Sequence, residues 1–190
     1  MQDYDKYLFQ RCQNNSNVAI DKNCIIVEPE KMHFLPHESG KQVRIPSEGR
    51  WMLIPLHSFK ALLGMANLAE YSLEELRRHV FYLGFFGSVH FHFAHIMGLR
   101  QFLLSKDQMT PDQYLFLLQS ELKPAVSKAV NEVLGNRLID YRIIRDEMLP
   151  SISEAVNHVL FTELFARGVC MHCGSFRIEN ISRPVMKRPA

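Results

Sequence analysis

The clearest pattern of apolar and polar positions lies in the C-terminal half of the chain. Apolar residues recur at helical spacing from Tyr114 to Val133, and Gly135 follows as a natural stop. The segment opens on Thr110-Pro111-Asp112-Gln113, which combines an N-cap, a proline and an acid in the first turn, and a capping-box glutamine. We therefore predict a long helix here, bent at the internal Pro124.

A second helix and a closing strand are predicted after it. Ser151-Ile152-Ser153-Glu154 reads as another capping box, and apolar positions at helical spacing continue from it until Gly168. In the segment from Ser175 to Ile181, Phe176 and Ile178 alternate with charged residues, as in a strand with one buried face. Both apolar side chains are expected to lie beneath the helices.

The middle of the chain is aromatic and almost uncharged. Val80 to Leu99 contains no Asp, Glu, Lys or Arg and is long enough to span a bilayer. Its second half, however, alternates between large apolar residues and Ser or His, which is the period of a half-buried strand. We predict two strands, Phe81–Phe85 and Val89–Phe93, followed by a short helix around Leu99–Leu104.

The N-terminal half shows short β-like pieces separated by Pro and Gly. Apolar residues spaced as on a helix predict a helix from Leu56 to Leu68. Ser72, with Glu75 three positions later, predicts a second short helix that reaches about His79. The order of elements, with strands mostly first and two long helices later, indicates an α+β fold.

The composition and the N-terminal sequence bear on the kind of partner and on the compartment, but they do not indicate a function. The chain has 190 residues, and its 22 basic and 20 acidic side chains give a formal charge of +2. That balance does not favour a nucleic-acid partner. The N-terminus carries no export signal, so we expect a cytoplasmic protein with reduced cysteines.

Candidate chemistry is sparse. Cys170 and Cys173, with His172 between them, could bind zinc, form a redox pair or be ordinary packing thiols, and no second CxxC completes a four-ligand site. His90 and His92 share a strand face, either as a metal-binding pair or as side chains that face solvent or a cleft. The sequence contains no GxSxG, GxxxxGK, GxGxxG or HExxH motif, so we predict no catalytic residues and favour a protein that is not an enzyme.

The second half of the chain resembles the SPFH (Band 7) domain of stomatin, prohibitin and flotillin, most closely its soluble, virion-core-protein-like branch. Four segments carry the likeness: a glycine-containing strand that leads into a short segment ending in a Phe-Leu pair, a helix that begins at a threonine, a helix that closes in a glycine, and a final F-x-I-x-x-I-x-x-P strand. In this chain they are Gly87–Phe93, Phe102-Leu103, the helices from Thr110 and up to Gly168, and Phe176–Pro184. The segment Cys170–Gly174 departs from the family pattern as an insertion.

The resemblance implies a small curved, largely antiparallel sheet with two long helices packed on it. The sequence pattern assigns residues 1–87 to a β-rich part with two short helices and residues 185–190 to a basic tail, and the resemblance makes residues 88–184 the SPFH-like core. It further implies a non-enzymatic scaffold that associates with itself or another protein and requires no cofactor. The aromatic strand region suggests an interaction surface at Phe85, Phe86, His90 and His92, and the basic tail suggests a peripheral position at an anionic membrane.

Overall fold

The computed structural model of the chain describes residues 6–20, 23–36, 38, 40–72, 80–135, 141–172, 175–183 and 185–186. The fold is α+β, as predicted. Its strands, in chain order, are β1 (Phe9–Arg11), β2 (Asn17–Ala19), β3 (Cys24–Glu28), β4 (His33–Phe34), β5 (Gln42–Arg44), β6 (Met52–Pro55), β7 (Phe59–Ser72), β8 (Val80–Phe93), β9 (Gln108–Met109), β10 (Val169–Met171), β11 (Arg177–Ile181) and β12 (Val185–Met186). Its helices are α1 (Arg100–Ser105), α2 (Pro111–Leu134), α3 (Tyr141–Ile143) and α4 (Leu149–Phe165), with a 3-10 turn at Ile96–Leu99 and a π-helical turn at Ile144–Met148.

The central sheet is built around β8. The long strand β7 pairs antiparallel along one edge of β8, and β10, β11 and β12 pair antiparallel with successive parts of the other edge. Helix α2 packs against β7, and α4 packs against β10, β11 and α2. Both long helices therefore cover the same face of the sheet, which leaves the opposite face open.

A second antiparallel sheet has the strand order β4-β3-β6-β1-β9. Strand β9 lies between α1 and α2 in the sequence, so it ties the N-terminal strands to the helical half of the chain. Phe9 and Met52 from this sheet share one buried core with Leu160 of α4. The predicted boundary between residues 87 and 88 falls inside β8. Other residues of the N-terminal strands, Ile26 and Leu53 among them, pack in a second, smaller core.

The predicted helix from Leu56 to Leu68 is wrong, because this segment forms most of β7. Phe59, Ala61 and Leu63 are buried, whereas Lys60 and Leu62 point the other way. Ala, Leu, Met and Lys favour a helix when a segment stands alone, but here pairing with β8 along almost the whole strand outweighs that preference. The second predicted short helix lies almost entirely outside the described residues, and Ser72 is the last residue of β7.

Two further boundaries differ from the prediction. Phe81–Phe85 and Val89–Phe93 belong to one strand, because β8 continues through Gly87. A Cβ at Gly87 would lie 2.2 Å from the carbonyl oxygen of Arg177, so glycine allows β11 to approach closely. Helix α4 begins at Leu149 rather than at the capping box around Ser151, because helical turns already precede it.

The predicted bounds of α2 and the predicted closing strand are confirmed. The hydroxyl of Thr110 accepts a hydrogen bond from the backbone N–H of Gln113, and the Gln113 side chain accepts one from the N–H of Thr110. The helix continues through Pro124. Strand β11 joins the same sheet as β8; just before it, Phe176 is fully buried, and Ile178 within it packs partly buried against the core.

The C-terminal end of the described chain differs from a free tail. Val185 and Met186 pair with Tyr82 and Phe81 of β8, so the first two residues of the predicted basic tail form a strand. Residues 187–190 lie outside the described part of the chain. No helix within the described ranges combines the length and the apolar character needed to cross a membrane.

Candidate functional site

The open face of the central sheet carries most of the predicted site residues. In antiparallel strands, residues directly opposite each other project from the same face. Lys60 lies opposite His90, and Leu62 and Arg177 lie on either side of Ser88. This outer face, as we call it, comprises Lys60, Leu62, Gly64, Phe86, Ser88, His90, His92, Cys170, His172, Arg177 and Asn180.

The predicted interaction surface divides between the two faces of β8. Phe86 is 42% exposed on the outer face, close to His90 and the half-buried His92. Phe85 points into the core, where its ring packs edge-on against Phe176 with 5.3 Å between the ring centroids. Phe85 therefore supports the core and is not part of an exposed surface.

Two histidine rings meet at one end of the outer face, next to the backbone of a third histidine. The rings of His92 and His172 lie 5.4 Å apart. Nε2 of His172 is 2.8 Å from the hydroxyl oxygen of Ser58, and the backbone N–H of His172 donates to the carbonyl of His90. Nδ1 of His92 is shielded from solvent and has no hydrogen-bond partner within the described structure. These contacts hold the imidazoles in place at the sheet surface.

The predicted metal ligands are brought together only in part. Cys170 lies opposite His92 in the β8–β10 pair and has a free, half-buried thiol. His172 is exposed two positions further along the chain. Cys173 lies outside the described residues. Among the residues that the structure does describe, no three His, Cys, Asp or Glu side chains converge closely enough to hold a metal ion.

The outer face is positively charged. Lys60 and Arg177 are exposed on it, and none of the ion pairs formed within the described ranges involves either residue. Acidic groups lie away from this pair: Glu70 is opposite Tyr82 further along the sheet, and the Asp112 carboxylate binds the backbone of Leu62 at the edge of β7. At the centre, Ser88 is only 5% exposed, and its hydroxyl makes no hydrogen bond to another described side chain or backbone group.

An apolar groove adjoins this face. A cavity of about 770 Å³ lies between β7 and the first turns of α2, and Leu62, Gly64, Phe116 and Leu117 are among the residues that line it. Phe116 is 73% exposed, and the two leucines are nearly half exposed. The ring of Phe86 lies 3.3 Å from where a Cβ on Gly64 would be, so it extends the groove onto the outer face. We call Leu62, Phe86, Phe116 and Leu117 the apolar patch.

The free edge of β7 is protected by α2. The Asp112 carboxylate accepts a hydrogen bond of 2.8 Å from the backbone N–H of Leu62. Further along the same helix, Gln119 donates to the carbonyl of Gly64, and Ser127 donates to the carbonyl of Leu68. An edge strand with satisfied backbone groups is a poor template for adding another strand.

Neither the patch nor this edge protection was predicted from the sequence. The only signal for the protection was three polar residues, Asp112, Gln119 and Ser127, at spacings that place them along one side of α2. Nothing in the sequence indicated that this side would lie against a strand edge. Phe116 was not singled out either, because an aromatic residue in an amphipathic helix is usually buried.

Comparison with known proteins gives no further assignment. No family model matches the chain, and no curated protein matches it significantly.

Proposed function

We propose that the protein is a non-enzymatic scaffold that associates with itself through the apolar patch. The observation that supports this most directly is the exposure of Phe116, Phe86, Leu62 and Leu117 as one continuous surface. Contiguous exposed apolar surface on a single chain is typical of an interaction site. The likeness of the second half to the SPFH domain, whose members commonly assemble, supports the same function.

The size of the patch indicates a weak, reversible association. With about 200 Å² for a whole aromatic side chain, the four residues expose roughly 300–400 Å² of apolar surface. A stable interface usually buries about 800 Å² on each partner. The patch therefore supplies about half of what a permanent dimer needs. We expect dissociation constants in the micromolar range or weaker, with larger assemblies favoured when many copies are held close together.

The mode of association is restricted by the protected edge of β7. Since Asp112, Gln119 and Ser127 already bond to the backbone of that strand, a second chain cannot pair with it there without displacing them. Contact through side chains is therefore favoured over extension of the sheet on this side.

Sedimentation velocity or light scattering with mass determination, from about 5 to 500 µM protein, tests the proposal. The wild-type mass should rise with concentration, and Phe116→Asp should keep the protein monomeric, because a buried carboxylate would replace the most exposed ring of the patch. Phe165→Asp is the matched control: Phe165 is 60% exposed at the end of α4, outside the patch. A wild-type protein that stays monomeric throughout, or equal effects of the two variants, would contradict the proposal.

A second candidate function is zinc binding through Cys170 and Cys173. One contact favours it: the ring of His92, which lies opposite Cys170, is 5.4 Å from the ring of His172. Thiolate and imidazole groups are the usual zinc ligands in proteins. His92 would thus add a ligand that the CxxC motif by itself does not supply.

Metal analysis of protein purified without chelators tests this second candidate. Stoichiometric zinc should be present in the wild type and absent from the Cys170→Ser, Cys173→Ser double variant. Cys24→Ser is the control, because Cys24 is buried in the other sheet. Zinc below about one tenth of an ion per chain, or equal loss in the control, would exclude the CxxC motif as the site.

A further inference from the structure

The centre of the outer face combines a largely buried serine, whose hydroxyl has no partner among the described residues, with exposed cationic groups. Ser88 is 5% exposed and lies between Leu62 and Arg177 in the sheet. His90 follows it two positions along β8, on the same face, with Lys60 opposite. We infer that this face binds an acidic segment of a partner protein, with a phosphate or carboxylate group seated over Ser88.

The spacing of the strands allows these groups to reach one anion. Neighbouring strands lie about 4.8 Å apart, and alternate residues along one strand are about 6.7 Å apart. Lys60 on β7 and Arg177 on β11 therefore flank β8 on opposite sides, within reach of the space above Ser88 and His90. Charge-assisted hydrogen bonds from lysine, arginine and imidazole groups are the usual means of holding phosphate and carboxylate.

The charge at this place favours an anion over a metal cation. Lys60 and Arg177 are exposed, and neither forms an ion pair within the described ranges. A divalent cation would be repelled by both side chains, whereas an anion would be attracted by both. The Asp112 carboxylate is already bound to the backbone N–H of Leu62, and Glu70 lies toward the other end of β8, opposite Tyr82.

Two observations favour a polypeptide as the bearer of the anion. The face is an open sheet surface, so a small molecule would be poorly enclosed there. Phe86 lies two positions from Ser88 on the same face, and Leu62 lies opposite Ser88; both are more than 40% exposed. An extended peptide also places alternate side chains about 6.7 Å apart. An acidic residue over Ser88 would thus bring an apolar residue two positions later onto Phe86.

An anionic membrane is the less favoured bearer of the same chemistry. Each basic residue near an anionic membrane contributes about 1 kcal/mol, so Lys60 and Arg177 together give about a thirtyfold enrichment. A seated phosphate would instead gain several directed hydrogen bonds and the apolar contact with Phe86.

Fluorescence anisotropy tests the inference with a labelled peptide, Gly-Ser-phosphoserine-Gly-Leu-Gly-Ser, and its unphosphorylated twin. The phosphorylated peptide should bind the wild type at least tenfold more tightly. Arg177→Gln should weaken its binding about tenfold and Ser88→Ala about threefold. Arg44→Gln, an exposed cation on the separate β2–β5 pair, should leave binding unchanged.

The outcomes that overturn the inference are distinct. Equal binding of the two peptides, or equal losses in Arg177→Gln and Arg44→Gln, would show only non-specific attraction. Binding of the protein to phosphatidylcholine vesicles that contain one third phosphatidic acid is measured in parallel. If the protein binds these vesicles more tightly than the peptide, and Arg177→Gln abolishes that binding, the anion belongs to a membrane and not to a partner protein. Phe116→Asp should retain peptide binding, so this result is separable from the self-association proposed above.

Discussion

The side chain of Asn157 offers the sharpest test of how the closing strand is held. Its amide nitrogen donates to the carbonyl of Phe176 at 2.9 Å, and its oxygen accepts from the backbone N–H of Phe176 at 3.0 Å. The same amide nitrogen donates to the carbonyl of Ser153 within α4. The Asn157 side chain thus makes the two backbone hydrogen bonds to Phe176 that a neighbouring strand would otherwise make. It links α4 to the residue just before β11.

The cost of losing this contact follows from the two hydrogen bonds. Asn157→Leu has nearly the same volume but can neither donate nor accept. Each lost hydrogen bond costs about 0.5–1.5 kcal/mol net, and the backbone groups of Phe176 left without partners add further to this. We expect the free energy of unfolding to fall by about 2–4 kcal/mol. For a chain of this size that corresponds to a fall in Tm of about 4–16 °C.

Urea denaturation followed by circular dichroism measures the loss, and hydrogen exchange locates it. Amides of Arg177–Ile181 should exchange faster in Asn157→Leu, whereas those of α2 should change only with global stability. Asn157→Asp keeps the acceptor and removes the donor, so its loss should be intermediate if the new carboxylate is tolerated. Asn131→Leu is the control, because Asn131 is exposed on α2 and the hydrogen bond that its side chain makes to the described residues is a long one, to Ser127 at 3.5 Å.

A change of less than about 0.5 kcal/mol in Asn157→Leu would refute the reasoning. It would mean that β11 is held by its pairing with β8 and by burial of Phe176 alone. Equal losses in Asn157→Leu and Asn131→Leu would contradict it as well, because the exposed amide has no comparable partner.

Three further predictions concern other parts of the molecule. Burial raises the pKa of Cys12 from 9.0 to about 11. Between these two pH values the folded protein keeps a thiol proton that the unfolded chain releases. The free energy of unfolding should therefore fall by up to about 3 kcal/mol as pH rises from 9 to 11. Cys12→Ala should lessen that fall in urea titrations. Gly87→Ala should cost about 2 kcal/mol or more in the same assay, because its Cβ would clash with the Arg177 carbonyl. Asp112→Ala should lower the free energy of unfolding by about 1 kcal/mol, because it leaves the backbone N–H of Leu62 at the edge of β7 without a partner. The exposed edge should also increase aggregation, measured as light scattering on prolonged incubation. Asp112→Asn keeps an oxygen acceptor and should behave more like the wild type.

Local sequence was sufficient where the interactions are themselves local. The start of α2 follows from Thr110 and Gln113, which bond to each other's backbone within a single turn. The end of that helix follows from Gly135, whose positive φ of 63° suits a residue without a side chain. Alternation around β8 and β11 was likewise readable, because a strand with one buried face repeats every two residues.

Local sequence failed where distant partners outweigh propensity. β7 is rich in helix-forming residues, yet it is a strand because β8 supplies a partner along almost its whole length. The positive φ of Asn67, at 53°, lies where the pairing register shifts, so no single period describes the segment. The early start of α4 was missed for a related reason, since helical turns before Leu149 make a cap at Ser151 unnecessary.

The candidate site shows the same division. Alternation along the aromatic segment identified Ser88, His90 and His92 as neighbours on one face, because that relation depends only on the geometry of a strand. The aromatic character of the segment added Phe85 and Phe86 to the predicted surface. It could not tell which face the helices would cover, and so Phe85 was grouped with them although it is buried. The cationic centre depends on pairings between β7, β8 and β11 that bring Lys60, Ser88 and Arg177 together from distant parts of the chain. Contacts between residues so far apart in sequence form only when the whole sheet assembles, and for this reason they leave no local pattern to read.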